Sequence, residues 1–413
     1  MSTSPAKDAP AAAASHTADK QAAFAKGLDG VIGGQTAVCS IEQDKLIYRG
    51  YEIHDLAAHA TFEQVAFLLL EGRKPGEHEL ARFKAELIAE RALHPAVTSF
   101  IESSAGWLAS GRAVPMDVLR TAVSILAHTD PECQDNAAPA ELRKAKRLTA
   151  KIPTIIGHMQ NVIDARAIVG LERGGDPTLD HAANMLYMMT GKRPSADEAR
   201  VMDVSLILYA EHEFNASTFT TRVISGTLSD MHGAVCGGIA ALKGPLHGGA
   251  NEMAMEMLKE IVNDVGEAGI GTSKVDDWMN NAFETKRKLM GFGHRVYKNG
   301  DHRAGILMGL GKKMADSIDN AGQPTFGALR APRWFALGEQ VQKIMLDKKK
   351  IHPNVDFPCG MTYFTMKIPV PQYTPIFVAA RITGWCAHII EQHSDNRLIR
   401  PLSIYTGPAE KKW

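Results

Sequence analysis

The chain has 413 residues, with 46 lysines and arginines against 46 aspartates and glutamates, so its formal net charge is zero. That balance gives no reason to expect nucleic acid or an acidic membrane as a partner, and any anionic substrate must be met by a local cluster of cations. At 45% hydrophobic and 22% charged residues the composition is that of a soluble globular protein with ample core and two or three domains.

Residues 1–26 are rich in Ala, Ser, Pro and Lys, lack a hydrophobic signal core and contain acids but no arginine, so they read as a disordered tail. Residues 35–51 are β-branched and aromatic and predict one short hairpin. After that helices dominate. Thr61 with Gln64, and Ser195 with Glu198, are capping-box pairs that open helices through Leu70 and about Phe214. Apolar periodicity predicts further helices over 117–128, 141–168, 181–190, 219–242, 250–263, 276–290, 303–319, 333–347 and 374–393. No apolar run approaches the ~18 residues of a membrane span. Cys39, Cys133, Cys236, Cys359 and Cys386 are odd in number and form no C-x-x-C, so a disulfide framework or a cysteine zinc site is not expected and a cytoplasmic location is. Breaks near 248 and 360 divide the chain into a large domain, 27–247 with 361–413, and a smaller, more charged inserted domain, 248–360.

Four stretches carry chemistry. In Gly244-Pro245-Leu246-His247-Gly248-Gly249-Ala250-Asn251-Glu252, glycines let the backbone come close to whatever His247 faces. The helix that follows presents its positive end there, which disfavours imidazolium and suits a neutral hydrogen-bond donor to a developing oxyanion. In His212-Glu213-Phe214-Asn215-Ala216 the zinc-protease pattern H-E-x-x-H fails at Ala216, and no metal is expected. In Met290-Gly291-Phe292-Gly293-His294 a dinucleotide fingerprint fails for want of a third glycine and a preceding strand. What remains is a second histidine in a glycine turn, with Arg303 nine residues on. In Asn354-Val355-Asp356-Phe357-Pro358 a carboxylate stands between apolar residues before a proline break, where burial raises its pKa and makes it a better base. Arg381, Arg397 and Arg400 read, singly, as surface arginines. Two histidines in glycine-rich loops, one aspartate and several arginines together suit enolisation and condensation onto a polycarboxylate.

GPLHGGANE, GFGHRVYKNGDHR, HPNVDF and RITGWCAHIIEQHSDNRLIRP, in this order and spacing, resemble the citrate synthase family, and the likeness runs from about Gly27 to Pro408. The resemblance implies an all-α homodimer with a large and a small domain and the site in the cleft between them. It implies that Asp356 takes a methyl proton from acetyl-CoA, that His247 stabilises the enol, and that His294 polarises and protonates the oxaloacetate carbonyl. His212, Arg303 and Arg381 match oxaloacetate binders, Arg400 an arginine lent by the neighbouring subunit, and Lys288, Leu289, Met290, Gly291 and Phe292 a stretch near CoA. No cofactor is expected to be permanently bound; the CoA thioester is a co-substrate. Two departures stand out: His302 where many members have proline, and Pro358-Cys359 in place of a tyrosine-serine or similar pair, beside the acyl pocket. The tail does not resemble the folded extension of NADH-inhibited members, so no NADH regulation is expected. The same residues serve 2-methylcitrate synthases, which use propionyl-CoA, and a non-catalytic assembly protein of this fold is the third reading.

Overall fold

The computed structural model describes residues 25–42, 45–167, 170–294, 296–297, 299–320 and 329–413. The tail expected over 1–26 lies, apart from Ala25 and Lys26, outside the described residues. The chain divides into two compact units, one of residues 1–35 with 398–413 and one of residues 36–397. In the first, a single 3-10 turn, Lys26–Leu28, is the regular structure among the described residues, and Ile32, Leu402 and Tyr405 are exposed.

The second unit is mostly helical. Its sheet is one small antiparallel ribbon, β1 (Cys39–Glu42), β2 (Lys45–Tyr48) and β3 (Tyr51–Glu52), with Cys39 opposite Tyr48 and Glu42 opposite Lys45. The hairpin therefore forms as expected, with a two-residue third strand added. Both capping boxes form: Thr61 and Ser195 each accept from the backbone three residues on, and Gln64 and Glu198 bond back to the cap N–H.

Seven helices position the site: α1 (Ala196–Tyr209), α2 (Ala216–Ser225), α3 (Met231–Leu242), α4 (Ala250–Val265), α5 (His302–Asn320), α6 (Asp356–Thr365) and α7 (Tyr373–Ser394). The single helix expected over 219–242 is two, because Asp230 caps α3 by accepting from Gly233 N–H at 2.8 Å and so starts a new helix. The helix expected over 276–290 ends at Glu284. The proline break expected after Asp356 is instead the first turn of α6. Pro358 is its third residue, where a backbone N–H has no partner within the helix in any case.

α7 is buried on almost every face, Trp385 and Arg381 included, and packs against α1, α2 and α3. A helix apolar all round belongs at the centre of a core rather than on its surface. Close approach is enforced at Gly384, where a Cβ would lie 2.1 Å from Glu211 Oε2 and 2.4 Å from the Ala210 carbonyl oxygen. The backbone between α1 and α2 is thereby pressed against the middle of the central helix. No helix among the described residues is long and apolar enough to cross a membrane.

Candidate active site

The junction between α1 and α2 carries His212 and turns through Glu213, whose φ is +51°. A non-glycine residue in the left-handed region costs of order 1–3 kcal/mol and persists only where its surroundings enforce it. Here Glu213 Oε1 accepts from the Ile41 N–H of β1 at 2.8 Å, and Asn215 caps α2 by accepting from Thr218 N–H at 3.0 Å.

Those anchors set Ser217 against His247. The Ser217 N–H points to His247 Nε2 at 3.3 Å, and the Ser217 hydroxyl lies 2.8 Å from the same nitrogen. Because a backbone N–H can only donate, Nε2 is the acceptor and the neutral ring carries its proton on Nδ1. Burial, then the Arg381 charge, pushes the imidazole pKa down to about 4. His247 is held by the turn after α3, where Gly248 N–H donates to the Leu242 carbonyl at 2.9 Å. A Cβ on Gly248 would lie 2.6 Å from that oxygen, so glycine serves close approach here, as expected.

His294 is the opposite tautomer. Its Nδ1 accepts from Val296 N–H at 3.1 Å and Tyr297 N–H at 3.3 Å, which leaves Nε2 as the donor. Burial and the Arg303 charge push this ring, too, down to about 4. His212 lies edge-on to it at 5.0 Å between centroids and reaches Tyr297 Oη through Nε2 at 3.0 Å. Burial, Arg303 and His294 keep His212 neutral as well.

Arg303, at the start of α5, is 4% exposed and bound at both ends by Asp301: Nε to Oδ1 at 2.9 Å and Nη2 to Oδ2 at 2.8 Å. Asp301 Oδ2 also accepts from Val355 N–H at 3.0 Å, which ties this pair to the start of α6. Asp356 follows as the first residue of α6, half-buried, with Oδ1 accepting from Tyr209 Oη–H at 2.7 Å. Desolvation raises its pKa to about 6 against the lowering effect of that hydrogen bond and of Arg303.

Arg381, read singly as a surface residue, is 1% exposed in the centre of α7. Its Nε donates to the Tyr209 carbonyl at 2.7 Å, its guanidinium lies 4.9 Å from the centre of the Phe377 ring, and its Nη1 has no hydrogen-bond partner among the described residues. Burial lowers its pKa, opposed by the charge of Glu211. A buried donor left open is costly unless something supplies an acceptor. Phe377 also meets Tyr209 at 4.4 Å and His247 at 6.3 Å, so the aromatic pair joins the two halves of the cluster.

Gly291 and Phe292 sit against α6. Asn354 N–H donates to the Gly291 carbonyl at 3.0 Å, Gly293 N–H to the His352 carbonyl at 2.8 Å, and the Phe292 and Phe357 rings are 4.5 Å apart. Gly291 has φ +82° and passes so close to α6 that a Cβ would meet Phe357 Cβ at 2.9 Å. Lys288, Leu289 and Met290 lead into this turn, Lys288 exposed and Met290 buried.

Eight of the expected residues thus belong to one connected constellation: His212, His247, Gly291, Phe292, His294, Arg303, Asp356 and Arg381. Arg400 is exposed in the other unit. Tyr209, Ser217, Asp301, Tyr297 and Phe377 were missed as contributors. Asp301 and Tyr297 lay inside a motif already singled out, whereas Tyr209 and Phe377 looked like ordinary apolar positions of amphipathic helices.

The family described as "Citrate synthase, C-terminal domain" matches residues 27–402. The chain is 39% identical over 390 residues to citrate synthase 2 of Bacillus subtilis, covering 94% of this chain and 97% of that one. It is equally 39% identical over 388 residues to the 2-methylcitrate synthase of Shewanella oneidensis, covering 94% and 96%. Among solved structures it matches the citrate synthase of Pyrobaculum aerophilum with a TM-score of 0.81 at 36% identity, over 94% of this chain and 93% of that one. It also matches the citrate synthase of Thermoplasma acidophilum, solved as a ternary complex with carboxymethyl coenzyme A and oxaloacetate, with a TM-score of 0.82 at 29% identity, over 94% of this chain and 98% of that one. The chain belongs to the citrate synthase family, with its all-α fold, and is an enzyme of the acyltransferase type.

Proposed function

We propose that this member of the citrate synthase family condenses acetyl-CoA with oxaloacetate and hydrolyses citryl-CoA to citrate and CoA. The observation that carries the reading is a desolvated carboxylate, Asp356, joined through Tyr209 and Phe377 to His247, with His247 and His294 bare on opposite ring nitrogens. Asp356 takes a proton from the thioester methyl group while His247 Nδ1–H donates to the thioester oxygen, so the enol forms without a free enolate. The enol carbon bonds to the oxaloacetate carbonyl carbon, and His294 Nε2–H delivers its proton to the oxygen that becomes the citryl hydroxyl. Water then cleaves the thioester, releasing the CoA thiol and the new carboxylate.

Arg381, with its open Nη1, and Arg303 and His212 hold the oxaloacetate carboxylates; Arg400 completes the site of the neighbouring subunit in a homodimer. The exposed apolar side chains Ile32, Leu402 and Tyr405 support such pairing, since surface of that kind seeks a partner. Residues 288–292 contact CoA, and 248–360 closes as the smaller domain once oxaloacetate is bound, which keeps idle water from the thioester. The enzyme works in the cytoplasm without a bound cofactor and without NADH regulation.

The second reading is 2-methylcitrate synthesis from propionyl-CoA, favoured by relatives of that name at the same identity. One methylene in an apolar pocket is worth only about 1–3 kcal/mol, so Phe357, Pro358 and Cys359 decide between the two by small differences. The deciding measurement is kcat/KM for both thioesters at saturating oxaloacetate, following free thiol. A preference for acetyl-CoA is expected; a preference for propionyl-CoA establishes the second reading, and no thiol from either leaves an assembly protein.

A further inference from the structure

Away from this cluster of histidines and arginines, three side chains of metal-ligating type converge where the turn after residue 129 meets the start of α3. Cys133, Asp230 and His232 each offer a ligand atom within 4.8 Å of the other two. Cys133 and His232 are buried, at 8% and 2% exposure, and Asp230 is half-buried.

Proximity alone would carry little, but His232 adds an independent sign. Its Nδ1 is buried with no hydrogen-bond partner among the described residues, while its Nε2 lies 3.5 Å from Asp130 Oδ2. A carboxylate behind one ring nitrogen and an open second nitrogen is how proteins present histidine to a metal ion. Asp130 is itself fixed, accepting from Arg147 Nε and Nη2 at 2.8 Å each. The neighbouring cations already have partners: Arg147 has Asp130 and Glu132, and Lys144 donates to the carbonyls of Cys133 and Asp135. Asp230 uses Oδ1 to cap α3, and its carboxylate also faces the Cys133 thiol, a hydrogen bond that a metal ion held by both would replace; Gln134 Nε2 makes a further, long contact to the sulfur at 3.7 Å.

We propose that Cys133, Asp230 and His232 form a binding site for a zinc-class divalent ion, with water in a fourth position. One thiolate, one imidazole and one carboxylate suit such an ion and not calcium or magnesium, which take oxygen ligands. Ligand bonds of about 2.0–2.3 Å bring two donors to within roughly 4 Å of each other, so side-chain rotation closes the site. On binding, the Cys133 S–H bond breaks, a sulfur–metal bond forms and one proton leaves to solvent. The ion would pin the 130–136 turn to the first turn of α3, the helix whose far end leads into the His247 loop.

The test uses the full chain, reduced and stripped with chelator, then titrated with Zn2+ against a chromophoric competitor and separately with Co2+. One tightly bound ion per chain is expected, with one proton released and a thiolate-to-cobalt charge-transfer band. Cys133→Ser should abolish that band and His232→Gln should weaken zinc binding by at least about tenfold, while Cys236→Ser should change neither. No band, or one that survives Cys133→Ser, overturns the proposal, as does unaltered affinity in His232→Gln. If Cys133→Ser fails to fold, alkylation of wild-type Cys133 mapped by peptide decides: zinc must slow it, and an unchanged rate overturns the site.

Discussion

Arg303 and Arg381 are both buried guanidiniums in one site, yet they are held in different ways. Arg303 has its carboxylate two residues away and is gripped by it at both ends; His294 and Tyr297, its neighbours, are likewise fixed within the same short stretch. Arg381 is reached by no carboxylate hydrogen bond among the described residues. It rests on a carbonyl from α1 and an aromatic ring of its own helix, with Nη1 left open. His294, Tyr297 and Arg303 thus have their partners within the chain, whereas Arg381 keeps one donor open. Buried polar groups left unpaired mark the part of a site that waits for a ligand.

The largest effect should come from the group that both regions serve. Asp356→Asn removes the proposed base while leaving the arginines and histidines in place, so kcat should fall by about 10^2–10^4-fold. Oxaloacetate binding measured by calorimetry should hardly change. Normal turnover in that variant would move the base elsewhere.

The contrast between the arginines makes a paired prediction about stability and affinity. Asp301→Ala strands a buried guanidinium and should destabilise the fold by about 3–5 kcal/mol in denaturant titration. Arg381→Leu replaces a charge that has no ionic hydrogen bond, so stability should hold or rise. Its KM for oxaloacetate should nevertheless climb by about 10–100-fold, the worth of hydrogen bonds to a charged group. Equal destabilisation by the two changes would erase the distinction.

The smallest effect belongs to Tyr209. Its hydroxyl holds the Asp356 pKa down against burial, and that value is about 6. Tyr209→Phe should raise it further. A general base acts only when ionised, so with Asp356 in the proposed role activity should climb as pH rises through this pKa, and the acidic limb of the kcat profile should move to higher pH in the variant. The loss should be greatest near pH 6 and fade well above it; an unmoved limb would falsify the assignment of Tyr209 as a positioning residue.

How much of this could be read from sequence follows the same division. His294 and Arg303 announce themselves because they stand close together in one motif, and both capping boxes were legible because their partners are near in the chain. Tyr209 and Phe377 were not, because their contacts depend on α1 and α7 meeting in space; Arg381 was marked by the family resemblance alone, since its partner, the Tyr209 carbonyl, is 172 positions away. Periodicity marks such residues as helix faces and is silent on what they touch. Pro358 misled in the other direction: proline opens a helix as readily as it ends one, and only the observed first turn decides which.

The opposite tautomers of His247 and His294 also give the site a spectroscopic signature. In an imidazole the protonated and bare nitrogens resonate far apart, so a single sample labelled with 15N at its histidines reports both rings, each with a different nitrogen as the bare one. Under the proposed function, adding oxaloacetate and then a CoA thioester should shift the two patterns in turn. The order in which substrates take their places becomes visible nitrogen by nitrogen, without any turnover.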